Sequence, residues 1–240
     1  MKLIFNAYID GFSLYKGSLE SRPNFKWLNL LKFCTDRRPD MELGQIYYFT
    51  APVKSRFPGD TGMNRQDAYM RVLRDQGVKV IPGQFRKDVD WLRVATTTRG
   101  SVLSPTLPNH LGLTQMALNQ ISKRAIPDFP RAQVWKFGEK GSDVNLASHL
   151  LFDVLKENLK AALVITADSD FVTPIRMATQ VGADVKVVVP KVHDSAKADG
   201  LRKVATYLEE LHVGWLADSQ LPRSYITSKG GNITRPHTWA

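Results

Sequence analysis

Cysteine is almost absent from this 240-residue chain, and the single thiol, Cys34, excludes an intramolecular disulfide and any cysteine-rich zinc site. It falls in the apolar-patterned stretch Trp27–Cys34 and reads as a buried structural thiol rather than a nucleophile. No apolar run is long enough to cross a bilayer. The opening M-K-L-I-F-N-A-Y-I-D lacks the long apolar core and small-residue cleavage site of a secretion signal, so it reads as a first strand. The lack of disulfides and targeting signals points to the cytoplasm. No internal repeat is present, and the five histidines show no H-E-x-x-H spacing.

What is there suits a globular protein. Apolar content of 43% and charged content of 23% are ordinary, and the length fits one large domain or one domain with a modest appendage. The net charge of +10 is not neutral background, because a basic surface attracts polyanions and nucleic acid is the commonest of them.

Along the chain, strand and helix patterns alternate. Strands are expected at Leu3–Ile9, Gly44–Ala51, Val78–Pro82, Gln133–Phe137, Leu163–Thr166 and Asp184–Val189. Helices are expected at Trp27–Cys34, Asn64–Gln76, from Ser142 to about Asn158, and from Val172 to Val181 with Gly182 as its cap. Ser195–Leu211 reads as one or two further helices, with a break near Ala205. For the helix after Ser142 the spacing gives a core stripe of Val144, Ala147, Leu150, Leu151 and Leu155. This alternation is the signature of an α/β domain with a mainly parallel sheet. The expected organisation is a domain over residues 1–212, with a less regular insertion at about 83–132 that includes an extended arm over Phe85–Ala95. Residues 213–240 follow as a tail docked on the domain, or as a disordered basic tail.

The stretch A-A-L-V-I-T-A-D-S-D-F-V (Ala161–Val172) places two acids, Asp168 and Asp170, directly after a short buried strand. Ligands of parallel sheets gather outside the carboxyl ends of the strands. Clustered acids there repel unless a proton or a cation intervenes, and Mg²⁺ is a natural resident. The plainer reading is an Asp-Ser-Asp turn capping the next helix through Ser169 or Asp170. Asp10 ends the first strand, and Asp143 stands at a helix N-terminus where the dipole favours negative charge, with Ser142 as N-cap. Four carboxylates at one end of a sheet are suited to one or two Mg²⁺ or Mn²⁺ ions that activate a water against a phosphodiester.

Three motifs also resemble those of the NYN domain family, relatives of the PIN-like nucleases. They are Y-I-D-G-F-S-L-Y (Tyr8–Tyr15), E-K-G-S-D-V-N-L-A (Glu139–Ala147) and T-A-D-S-D-F-V-T-P-I (Thr166–Ile175), in a likeness extending roughly from Leu3 to Pro190. The resemblance implies a three-layer α/β/α sandwich with a mainly parallel central sheet, PIN-like or Rossmann-like. It also implies Mg²⁺ or Mn²⁺ held by Asp10, Asp143, Asp168 and Asp170, and metal-dependent cleavage of RNA. Two positions depart from the family: Ser13 stands where many members carry asparagine, and His149 where many carry a second helix aspartate.

Ser13, Tyr15, Lys16, Lys140, Ser142, Ser169 and His149 are the substrate-binding candidates. Lys54, Arg56, Arg65 and Lys191 extend a basic rim. Tyr15 and Phe12 are placed to stack bases, although Phe12 reads better as core. His149 reads as a structural or flanking side chain, and Asp153 as a helix-surface residue. The leading expectation is therefore a metal-dependent ribonuclease of the cytoplasm, with RNA as partner, no membrane association and a possible homodimer. The alternative, motivated by Ser13 and His149, is an RNA-binding regulatory protein of the same fold with weakened catalysis. A weaker third reading is an enzyme of small phosphate esters.

Overall fold

The computed structural model describes residues 2–53, 59–93, 131–190 and 195–239. Lys54, Arg56, Lys191, His110, His193 and residues 94–130 of the expected insertion lie outside the described residues. The chain divides into two compact units, residues 1–85 with 139–240, and residues 86–138.

The strands are β1 (Ile4–Asp10), β2 (Glu42–Thr50), β3 (Lys79–Pro82), β4 (Gln84–Arg93), β5 (Arg131–Lys140), β6 (Ala161–Ile165), β7 (Asp184–Val189) and β8 (Tyr207–Glu210). Six of them form one sheet in the order β3-β2-β1-β6-β7-β8, and β4 pairs with β5 in a separate two-stranded ladder. Every neighbouring pair in the large sheet is parallel, with Ile9 opposite Ile165 across its centre and Asp10 opposite Phe49. The helices are α1 (Gly11–Leu14), α2 (Leu30–Arg37), α3 (Gly62–Asp75), α4 (Ser142–Leu155), α5 (Val172–Gln180), α6 (Ser195–Arg202) and α7 (Val213–Asp218).

Strand periodicity divides the core between two faces. Phe5, Ala7 and Ile9 of β1, Ile46 and Tyr48 of β2, and Leu163 and Ile165 of β6 pack with Phe33, Cys34, Val72 and Leu73 from α2 and α3. Tyr8, Tyr47, Phe49, Ala162 and Val164 point the other way, to Leu146 and Leu150 of α4 and to Ile175 and Ala178 of α5. A sheet buried on both faces by helices is a three-layer α/β/α sandwich, within the α/β class with a mainly parallel sheet that the sequence pattern predicts. β6 shows the cause plainly: all five of its residues are buried, as its unbroken apolar run requires.

Residues beyond 212 pack on the first of these faces. Trp27 is fully buried, donates its indole N–H to the Pro222 carbonyl at 2.9 Å, and has Tyr69 and Trp239 rings beside it at 5.9 and 6.1 Å. A hairpin of β9 (Ser224–Ile226) and β10 (Asn232–Thr234) is tied to the end of α3, where Asp75 accepts from the Tyr225 hydroxyl at 2.8 Å.

Several expectations need correcting. The segment read as helix over Ser195–Leu211 ends its helix at Arg202 and supplies the edge strand β8. That strand has only four residues, two of them acids, too short for a period-two signal. The stripe on α4 is also different. Leu146, Leu150, Asp153 and Val154 face the sheet, while Val144 and Leu155 are exposed. This helix is apolar around most of its circumference, so spacing alone does not choose the buried face. Its N-cap is Gly141, with φ of 90°, and Ser142 lies inside the first turn. The helix predicted from Trp27 starts at Leu30, capped by Asn29, whose side chain accepts from Lys32 N–H.

Candidate active site

The site forms where β1 and β6 end side by side. Asp10 is the last residue of β1, is nearly buried at 5% exposure, and caps α1. Its Oδ1 accepts from Ser13 N–H at 2.9 Å, and its Oδ2 accepts from the Ser13 hydroxyl at 2.5 Å and the Thr166 hydroxyl at 2.9 Å. Ser13, the departure from asparagine, thus holds Asp10 through both backbone and side chain. Gly11 makes the turn possible, because a β-carbon there would stand 2.7 Å from the Phe49 carbonyl and 2.8 Å from the Tyr48 ring.

Thr166 follows β6 and is fully buried; its oxygen also accepts from Asp168 N–H at 3.1 Å. One hydroxyl therefore joins the Asp10 carboxylate to the Asp168 turn. Sequence reasoning passed over Thr166; the signal was a hydroxyl residue immediately after a fully apolar strand. Asp168 itself caps the following 3₁₀ turn by accepting from Asp170 N–H at 3.0 Å, the cap role expected of Ser169 or Asp170. Asp170 and Ser169 are exposed.

Asp143 comes from the first turn of α4. Its carboxyl is pushed up to about 6, first by loss of surrounding water and then by the charges of Asp10, Asp168 and Asp170. The four predicted acids are thus brought together. Placement of Asp143 depends on Gly83, where a β-carbon would collide with the Ser142 hydroxyl and crowd the Lys140 carbonyl.

Around the cluster the remaining candidates divide. Phe12 is 56% exposed, not core, because α1 turns it away from the sheet. Tyr15 is exposed, with the Lys26 ammonium 5.0 Å from its ring centroid. Lys16 is paired with Glu20 at 2.5 Å. Lys140 is exposed and Ser142 is buried. His149 is a packing residue: Nδ1 lies 2.8 Å from the Asn145 carbonyl oxygen, and the ring rests on Tyr47 and Phe49 at 5.2 and 5.4 Å.

Asp153, expected on the surface, is 6% exposed and accepts from the Tyr8 hydroxyl at 2.6 Å and Asn6 Nδ2 at 2.9 Å. Burial and that carboxylate together raise the Tyr8 phenol far above its ordinary range.

Two kinds of bound group can be tested against this geometry. Among the described residues, no set of three or more histidine, cysteine, aspartate or glutamate side chains is arranged to hold a metal ion. Both Asp10 oxygens accept hydrogen bonds, from Ser13 and Thr166, and an Asp168 oxygen accepts one from its own turn. A dinucleotide fits this crevice no better. The sequence contains no G-x-G-x-x-G, and the turn that would receive a pyrophosphate carries the Asp10 carboxylate.

No family model matches the chain. It is similar to the 6-hydroxy-3-succinoylpyridine 3-monooxygenase HspA of Pseudomonas putida (strain DSM 28022 / S16). The two are 28% identical over 255 residues, covering 97% of this chain and 74% of that protein. Among solved structures it is similar to a protein of unknown function, VPA0982, from Vibrio parahaemolyticus RIMD 2210633. That likeness has 12% identity and a TM-score of 0.44, over 92% of this chain and 97% of that one.

The first relative corrects the functional expectation. A monooxygenase is an oxidoreductase, not a hydrolase, and the likeness covers 97% of this chain. The reading as a metal-dependent ribonuclease is overturned, and the metal-binding expectation is not met among the described residues. The misstep has a physical source, since acids at the carboxyl ends of a parallel sheet do not specify a reaction. Among the described residues, no helix is long and apolar enough to cross a membrane.

Proposed function

We propose that the chain is an oxidoreductase that oxygenates a small hydroxylated aromatic compound, with its reactive site at the acid cluster where β1 and β6 end. The observation that carries this reading is the 28% identity spread over 97% of the chain with a monooxygenase whose name specifies a hydroxylated pyridine. Such a reaction places one oxygen atom of O₂ on the substrate and reduces the other to water, so a two-electron donor is consumed.

The part assigned to this chain's own residues is proton handling and binding. Asp143, raised to about 6, exchanges a proton near neutral pH and is suited to draw the proton from a ring hydroxyl. Ser13 and Thr166 fix the Asp10 carboxylate beside it, which keeps Asp143 raised. The exposed rings of Phe12 and Tyr15 offer stacking surface at the mouth, and Lys26, beside Tyr15, offers a charge for an acidic substituent.

The test is turnover of 6-hydroxy-3-succinoylpyridine and simpler hydroxypyridines under isotopically labelled dioxygen with a panel of two-electron donors. Label is expected in the product, with Asp143→Asn slower by about a hundredfold or more. A chain that gives no oxygen-dependent product with any donor overturns the reading.

A further inference from the structure

The acid cluster occupies the carboxyl ends of the strands; at the far end of the same unit the charge reverses. α3 runs back along the sheet to Asp75, just before β3 begins, and there it meets the β9–β10 hairpin. We propose that the open cavity between the last turn of α3 and this hairpin is a binding site for a small phosphate-bearing molecule, held by Arg71, Arg74 and Lys229.

The cavity measures about 660 Å³, and these three cations line it together with Thr227, Ser228 and Asp75. That is the size of a small-molecule site rather than of a single ion. Three cations face one carboxylate, and the carboxylate is already committed to the hairpin. Asp75 accepts from Ser228 N–H at 3.0 Å, from the Ser228 hydroxyl at 2.6 Å and from the Tyr225 hydroxyl at 2.8 Å. These bonds, Ser228's first, with the charge of Lys229 adding to them, hold its carboxyl below the ordinary range, so it stays ionised, fixes the hairpin and offsets one of the three cations, leaving the cavity net positive.

The cations are less engaged. Among the described residues Arg74 and Lys229 have no ion-pair partner within 4.0 Å, and Arg71 has only a distant one, Asp67 at 3.8 Å, with both side chains exposed. Two guanidinium forks suit the oxygens of a phosphate, and the lysine adds a point charge. Thr227 Oγ1 accepts from Gly231 N–H at 2.9 Å, which leaves its own hydrogen to donate.

Arg74 also lines a second cavity of about 160 Å³ along edge strand β3, with Pro52, Met63, Met70 and Val80 on its apolar side and Gln66 and Asp67 on its polar side. A phosphate at Arg74 thus has an apolar shelf beside it, which favours a phosphate carrying a flat organic group over the bare anion.

Titration calorimetry of the full chain with inorganic pyrophosphate and with ADP tests this and separates the two sources. Saturable binding of either is expected, tighter for ADP, and weakened about tenfold by Arg74→Gln and again by Lys229→Gln. Both side chains are exposed, so the variants keep the fold, which circular dichroism checks. Absence of saturable binding overturns the site. So does equal weakening by Lys156→Gln with Lys160→Gln, an exposed pair elsewhere that reports only the general positive field.

Discussion

Asp10 and Asp153 are almost equally hidden, at 5% and 6% exposure, yet their surroundings differ in kind. Asp153, on the sheet-facing side of α4, has donors around it, Tyr8, Asn6 and Tyr47, and ties the helix to β1. Asp10 has donors on one side and carboxylates on the other, and its charge adds to the burial that raises Asp143. A carboxylate surrounded by donors is a fastener. Carboxylates facing one another keep a proton within reach of neutral pH, which is a condition for chemistry.

The contrast can be broken hardest at Asp153. Asp153→Ala strands a buried phenol and an amide, and is expected to cost about 3 kcal/mol in urea unfolding. Asp10→Ala is expected to cost clearly less, because losing its bonds is offset by relief of the repulsion across the site. Equal losses would dissolve the distinction.

Gly83→Ala comes next, at about 2 kcal/mol, because the added carbon meets the start of α4. It should also move the Asp143 titration, read by carboxyl NMR. Thr166→Val follows at about 1.5 kcal/mol, with Thr166→Ser recovering most of the loss.

Asp143→Asn reverses the sign. A carboxyl held higher in the folded chain than its unfolded value of 3.8 binds its proton more tightly when native. Its contribution therefore favours folding at low pH and is lost as pH rises from about 4 through about 6. Removing the charge should stabilise the protein at pH 8 by about 1 kcal/mol, allowing for solvent screening, and flatten the pH profile across that window. The smallest effect is expected at Phe12→Ala, within about 0.5 kcal/mol in stability. Its trace should be a raised KM for an aromatic substrate.

Much of this arrangement was legible in the residues. β6 and β7 declare themselves as short β-branched runs, and the acids that follow β6 and end β1 fall where ligand sites of parallel sheets lie. What escaped was set by three-dimensional neighbours. Tyr207–Glu210 becomes a strand because β7 offers it an edge, not because its own pattern is strong. Asp153 is buried because Tyr8 and Asn6, some 150 residues earlier, supply the donors. The reaction was the least legible feature, since the same four carboxylates serve a proton as readily as a cation.

The docking of residues 213–239 has a consequence for the order of assembly. Trp27, near the start of the chain, finds its carbonyl acceptor at Pro222 and one of its ring neighbours at Trp239. The face made by α2 and α3 is therefore left open during synthesis until some two hundred further residues have followed, and residues 213–239 are what seals it.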